Sequence, residues 1–216
     1  MIFYLKYLIV IREWLKESQS EIPEYIDENI YYLGQSYSLL WQRVKKNIFF
    51  NGNYEFDNSN FDNYLKRLGY NFKNENNETG GYVVLKNKKI SLIMDVGPSP
   101  EKKFSKNYQS GALSFEIISG EKKLICNCGY YKNYKNKLNN ISRLTASHST
   151  LIIDNYSSCK FEDIDNENKN LERGLKIIEK SVVSEKNYWK IKSSHNGYTK
   201  KYGIVHRRQI EFFPEY

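Results

Sequence analysis

Residues 82–94 read Tyr82-Val83-Val84-Leu85-Lys86-Asn87-Lys88-Lys89-Ile90-Ser91-Leu92-Ile93-Met94, and this stretch decides the fold. Two runs of apolar and β-branched residues, 82–85 and 90–94, flank Asn87-Lys88-Lys89, which is a hairpin signal. The same grammar continues downstream. Residues 112–118 read as a strand, Ser119-Gly120-Glu121 as a turn, and 123–127 as the return strand. Residues 148–153, 175–183, 188–191 and 204–213 complete the set. About seven short strands separated by turn signals predict an antiparallel β-sandwich. No stretch between them is long enough for a helical crossover, so a parallel sheet is excluded. The fold class is mainly β, with the sandwich over residues 77–216.

Upstream the period is helical. In residues 4–16, Leu5, Leu8, Ile9, Ile11 and Leu15 recur near helical spacing. Ser18-Gln19-Ser20 interrupts the pattern, and Pro23 suits the first turn of a second helix. That helix is expected over 23–46, with a break near Gly34. Phe49-Phe50-Asn51-Gly52-Asn53 is a turn signal. Residues 60–68 predict a short helix capped by Asn60, and 71–81 a polar loop at the domain boundary. Residues 1–76 therefore form a helical segment with its linker. So few helices cannot bury both their faces unaided. Residues 1–11 are apolar, but Lys6 interrupts them, and neither a basic leader nor a small-residue cleavage site accompanies them. No signal peptide is predicted, and the run is too short to span a membrane.

The chain has 216 residues and a formal net charge of +8. Its lysines are dispersed, with only short pairs such as Lys45-Lys46, Lys102-Lys103 and Lys200-Lys201. No nucleic-acid motif accompanies them, so nucleic acid is excluded as a partner, and a preference for anionic polysaccharide survives. The three cysteines are too few and oddly counted for a disulfide framework. Cys126 and Cys128 share one face of an expected strand and read, with Cys159, as buried free thiols.

Several side chains invite chemistry. His148 stands beside Ser149 and Thr150 with Asp154 downstream, but no Gly-x-Ser-x-Gly elbow occurs, so a hydrolase triad is not predicted. In Ser194-His195-Asn196-Gly197-Tyr198, Asn-Gly favours a tight turn. Such a turn either holds His195 and Tyr198 at the sandwich rim or lies on the surface. His206 alternates with core residues and reads as a packed strand residue. Arg143 has the planar fork to pair a sugar carboxylate, or equally an acidic neighbour or a carbonyl. Tyr108, Tyr130, Tyr131 and Tyr134 place aromatic faces near the same strands.

Five ordered segments carry a family resemblance. They are Met94-Asp95-Val96-Gly97-Pro98; Ser110-Gly111-Ala112-Leu113-Ser114-Phe115-Glu116; Cys126-Asn127-Cys128-Gly129; Arg143-Leu144-Thr145-Ala146-Ser147-His148-Ser149-Thr150-Leu151; and Ser194 to Tyr198, followed by Gly203-Ile204-Val205-His206-Arg207-Arg208. Together they resemble the C-terminal sheet domain of the heparinase II/III-like proteins. Residues 42–52 are similar to the last helix and exit loop of that family's helical domain. The resemblance implies an incomplete (α/α) toroid followed by an antiparallel sandwich, with residues 1–76 as the toroid's tail. It implies that the chain is a fragment, truncated near Pro214-Glu215-Tyr216 and inactive alone.

Active relatives cleave uronic-acid polysaccharides by β-elimination. Such chemistry neutralises the uronate carboxylate, then needs a base and an acid, often Tyr or His. In the family, the Tyr and one His come from the toroid, so no general acid or base is assigned here. The family's sheet domain often holds a metal on two His and an Asp. Those positions fall on Gln109, His148 and Asn127, which leaves His148 as the single strong ligand. Amide oxygens replace imidazole and carboxylate poorly on zinc. No cofactor is expected, and Gln109, Asn127 and His148 are expected to form a hydrogen-bonded cluster instead. The implied partners are an anionic polysaccharide and a helical domain from elsewhere. The implied location is the bacterial cell envelope or periplasm, with the cytoplasm open because no export signal is visible. The alternative is a non-catalytic glycan-binding or structural sandwich.

Overall fold

A computed structural model describes residues 1–53, 59–162, 170–186 and 188–213. The chain divides into two units, Met1–Lys46 with Phe56–Thr79, and Asn47–Glu55 with Gly80–Tyr216. The expected helical segment thus cedes residues 47–53 to the second unit.

The first unit holds α1 (Ile2–Glu17), α2 (Glu24–Tyr37), α3 (Ser59–Arg67) and the short strand β1 (Glu78–Thr79). Pro23, extended at φ −60° and ψ 134°, caps α2. Leu5 and Ile9 of α1, Ile26, Ile30 and Tyr37 of α2, and Phe61 and Leu65 of α3 form its core. The expected break at Gly34 does not occur. The helix runs through it because the missing side chain admits the Phe72 ring; a Cβ there would lie 2.1 Å from Phe72 Cδ1. The helical path instead changes at a π turn over Ser38–Gln42. Asn60 lies inside α3 rather than capping it.

The second unit is a sandwich. One sheet runs β2 (Tyr82–Lys86), β3 (Ile90–Asp95), β4 (Phe115–Ser119) and β5 (Lys122–Ile125), each antiparallel to the next. The other is three-stranded, in the order β10 (His206–Phe212), β9 (Tyr188–His195), β8 (Ile177–Glu185). Between them a small ladder pairs β6 (Lys160–Phe161) with β7 (Leu171–Arg173). Alternation builds the core: Val83, Leu85, Leu92 and Met94 from the first sheet meet Trp189 and Ile191 from the second. The opposite face of the second sheet carries charge, with Lys192 2.6 Å from Glu179 and Lys190 3.4 Å from Glu211. This is the half-buried pattern of two packed sheets.

Two expectations fail locally, and one helix is unforeseen. Residues 148–153, expected as a strand, follow a 3₁₀ turn (Thr145–Ser147) as irregular backbone. Their polar groups are spent on neighbouring segments: the Ser149 N–H donates to Asn127 Oδ1 and the Thr150 hydroxyl to the Ala112 carbonyl. Residues 137–143 form a helix, α4 (Lys137–Arg143), whose Asn136 side chain accepts from the Leu138 N–H. β5 ends at Ile125, so Cys126 and Cys128 are exposed and only Cys159 is buried. Among the described residues, no helix is long and apolar enough to cross a membrane.

Candidate functional site

Gln109 sits in the loop before β4 and is completely buried. Its Nε2 donates to the carbonyls of Gly129 (2.9 Å) and Ser142 (2.6 Å), and its Oε1 accepts from the Gly52 N–H (3.1 Å). Every capacity of the amide except one lone pair is used on backbone. Asn127, also buried, accepts the N–H of Ser149 at 3.0 Å and its hydroxyl at 3.3 Å. The His148 ring packs on Gly111, where a Cβ would lie 3.2 Å from its Cγ. Burial pushes the His148 pKa down to about 4, against a smaller opposite effect of Ser142. Gln109 and His148 thus both face Ser142, and Asn127 holds the residue after His148. The three side chains gather around one joint, each fastened to a different piece of backbone rather than to one another. Asn127 Nδ2 and His148 Nε2 are buried without a protein partner.

The family's zinc does not fit these residues. The amide oxygens at 109 and 127 already accept N–H groups, and neither brings charge to offset a dication. Among the described residues, no group of three His, Cys, Asp or Glu side chains is placed to hold a metal.

Arg143, at the end of α4, is buried and turned inward. Its Nε donates to the Tyr108 carbonyl (2.9 Å) and its Nη2 to the Ser105 carbonyl (3.0 Å), with Phe161 beneath the guanidinium at 4.0 Å. Of the readings open to it, the carbonyl pairing is the one realised. It pins the loop that carries Gln109.

His195 ends β9 and pairs across the ladder with His206 of β10. Both are buried. The Gly197 N–H donates to His195 Nδ1 at 3.0 Å, so that nitrogen carries no proton. The proton is on Nε2, 3.0 Å from His206 Nδ1. Burial lowers both imidazoles' pKa values, with His206 and Arg208 adding to the effect on His195 and Arg208 to that on His206. Tyr198 is fully buried and donates to the Leu151 carbonyl (2.6 Å), and burial pushes its pKa up to about 12. The turn therefore carries His195 and Tyr198 into the interior. Neither of the two expected placements, rim or surface, describes them.

A second constellation has only a faint trace in the sequence. Asp95, the last residue of β3, faces Tyr82 across the ladder. Asn51 Nδ2 donates to both the Tyr82 hydroxyl (2.7 Å) and Asp95 Oδ2 (3.1 Å). Asp95 Oδ1 accepts the Gly97 N–H at 3.0 Å. Burial raises the Asp95 pKa to about 7, although both donors act against it. Gly81 (φ +85°) passes so close to Gly97 that a Cβ would lie 2.7 Å from the Gly97 Cα. These residues border a cavity of about 410 Å³. The turn that supplies Asn51 is tied to the sandwich through Glu116, whose Oε1 accepts the N–H of Phe49 (3.0 Å) and of Asn127 (3.1 Å).

Two packed antiparallel sheets of this kind have known counterparts. Residues 74–215 match the family described as heparinase II/III-like, C-terminal, and the chain belongs to that family. Heparan sulfate lyase HepC from Pedobacter heparinus superposes with a TM-score of 0.71 at 13% identity, covering 98% of this chain and 35% of that one. A heparinase III gives a TM-score of 0.62 at 16% identity, covering 97% of this chain and 37% of its own. At such identities the likeness is one of fold, and the chain spans about a third of the length of these structures. No curated protein sequence matches.

Proposed function

We propose that this chain supplies the sheet domain of a lyase-type protein acting on uronic-acid polysaccharides by β-elimination, and that these 216 residues cleave no polymer on their own. The observation that carries this reading is the joint of Gln109, Asn127 and His148. It keeps the family's positions, but two of its groups are neutral amides and burial pushes the His148 pKa down to about 4, so it offers no cation to a uronate carboxylate, and His148 Nε2 is buried away from one. By the same reasoning we propose that it holds no zinc. The candidates Arg143, His195 and Tyr198 act here as internal fasteners.

A helical partner completes the proposal. Tyr4 and Trp14 of α1 are 72% and 67% exposed, beside exposed Phe3 and Tyr7. An aromatic face of this kind is one that further toroid helices would cover. The family resemblance suggests action in the bacterial cell envelope. The second reading, a glycan-binding module without chemistry, draws on the same neutral joint.

The test is incubation of the purified chain with heparan sulfate and with alginate, followed by far-ultraviolet absorbance of the unsaturated uronate product. No absorbance should develop. Turnover by this chain overturns the proposal.

A further inference from the structure

The cavity beside Asp95 belongs wholly to the second unit and has no role in the reading above. Its inner wall is polar and its outer wall apolar. Inside, Asn51 spends both amide protons on Tyr82 and Asp95 and its Oδ1 on the Gln109 N–H (3.1 Å). The Tyr82 hydroxyl accepts from Asn51, so its own proton remains to be donated. Asp95 Oδ2 has one accepted N–H and a further lone pair. At the rim, Asn107 Oδ1 receives the hydroxyls of Tyr130 (3.2 Å) and Tyr134 (3.3 Å), which leaves its Nδ2 as a donor. The outer wall is Pro98, Pro100 and the Phe104 ring, which is 70% exposed.

Two properties narrow the ligand. Fixed donors and acceptors facing an aromatic surface suit a polyhydroxylated ring, with hydroxyls inward and its C–H face on the aromatic. Charge decides the rest. Among the described residues no Lys, Arg or His lines the cavity, and its single acid is the buried Asp95. A uronate or sulfate placed there would meet a carboxyl group, while the cation nearest the stacking ring, Lys103 with its Nζ 4.9 Å from the Phe104 centroid, lies outside the lining.

We infer that this cavity binds one uncharged pyranose ring, stacked on Phe104 and hydrogen-bonded by Tyr82, Asp95 and Asn107. In a polymer of alternating uronate and neutral sugar it selects the neutral unit, a statement that rests on the function proposed above.

The test titrates the full chain with methyl N-acetylglucosaminide, methyl glucoside and methyl glucuronide, read by amide chemical shifts. In parallel it measures retention of the chain on immobilised heparan sulfate. A neutral glycoside should saturate, shifting residues 95–108, while the glucuronide binds about tenfold or more weaker. Phe104→Ala removes an exposed ring, so it should keep the fold and weaken the neutral glycoside about tenfold. Failure of both neutral glycosides to bind, equal binding of the glucuronide, or an unchanged affinity in Phe104→Ala each overturns the inference. The polymer arm separates the two proposals. Retention without glycoside binding sinks this inference alone, and glycoside binding without retention sinks the polymer reading alone.

Discussion

Gln109→Leu is expected to lose about 4 kcal/mol of folding stability, from three polar backbone groups that lose their amide partner at about 1–3 kcal/mol each. Leu fills nearly the same volume, so packing changes little. What changes is that the Gly52 N–H loses its partner and the carbonyls of Gly129 and Ser142 lose an N–H donor and keep the weak Cys128 S–H, in a site without solvent. Against a typical net stability of about 5–15 kcal/mol, that loss is large. The exposed Gln209 is the control, and its replacement by Leu should stay within about 0.5 kcal/mol. Urea unfolding of the three proteins makes the comparison. A Gln109→Leu midpoint equal to that of the parent would show that the amide is not the fastener described.

Acid should destabilise the fold well before the carboxylates' usual range. All three histidines of the chain are depressed, His148 to about 4, with burial the largest cause in each case. Unfolded imidazoles protonate near pH ~6.5. Between that value and their folded values the unfolded chain binds protons that the native chain refuses. Their contribution is therefore complete above pH ~6.5 and is lost as pH falls through the folded values. Asp95 and Glu116, both raised by burial, run the other way. Asp95 stabilises below its unfolded value of about 3.9, and that contribution is lost as pH rises through its folded value of about 7. Three groups outweigh two, so net stability should fall from pH ~6.5 toward ~4. Imidazole proton shifts offer the direct reading. No histidine should titrate at its ordinary value near ~6.5, and one that does is solvated.

The hairpin at 82–94 was legible from its two β-branched, apolar runs about a turn signal, although both strands are buried on both faces, and the strand at 206–212 from its alternation; both signals are local to a few residues. Residues 148–153 misled for a physical reason. Thr150, Leu151, Ile152 and Ile153 have strand propensity, but the Ser149 N–H and the hydroxyls of 149 and 150 find partners in residues far along the chain, and the Thr150 N–H turns back to the His148 carbonyl, which no local pattern announces. The turn closing that segment was within reach, since Asp154 and Asn155 both adopt positive φ (47° and 57°), as Asp and Asn do most readily among side-chain-bearing residues. α4 is polar and rich in Asn, and its one clear mark is the Asn136 cap. For the candidate site, matching by family position named residues 109, 127 and 148, whose polar side chains bond to backbone and not to one another. The inward turn of Arg143, His195 and Tyr198 depends on what packs around them. The Asn51–Tyr82–Asp95 group joins residues 31 and 44 positions apart. Its only local hint is Asp95 two places before Gly97, the spacing of a side chain that accepts its own turn's N–H.

Where the family resemblance implies a metal, residues 109, 127 and 148 form the neutral joint described above. Equimolar zinc, with the His148 imidazole followed by nuclear magnetic resonance, probes this without recourse to activity. The His148 resonances and the thermal midpoint are predicted to stay where they are. A zinc-dependent shift of His148 together with a raised midpoint would contradict the account.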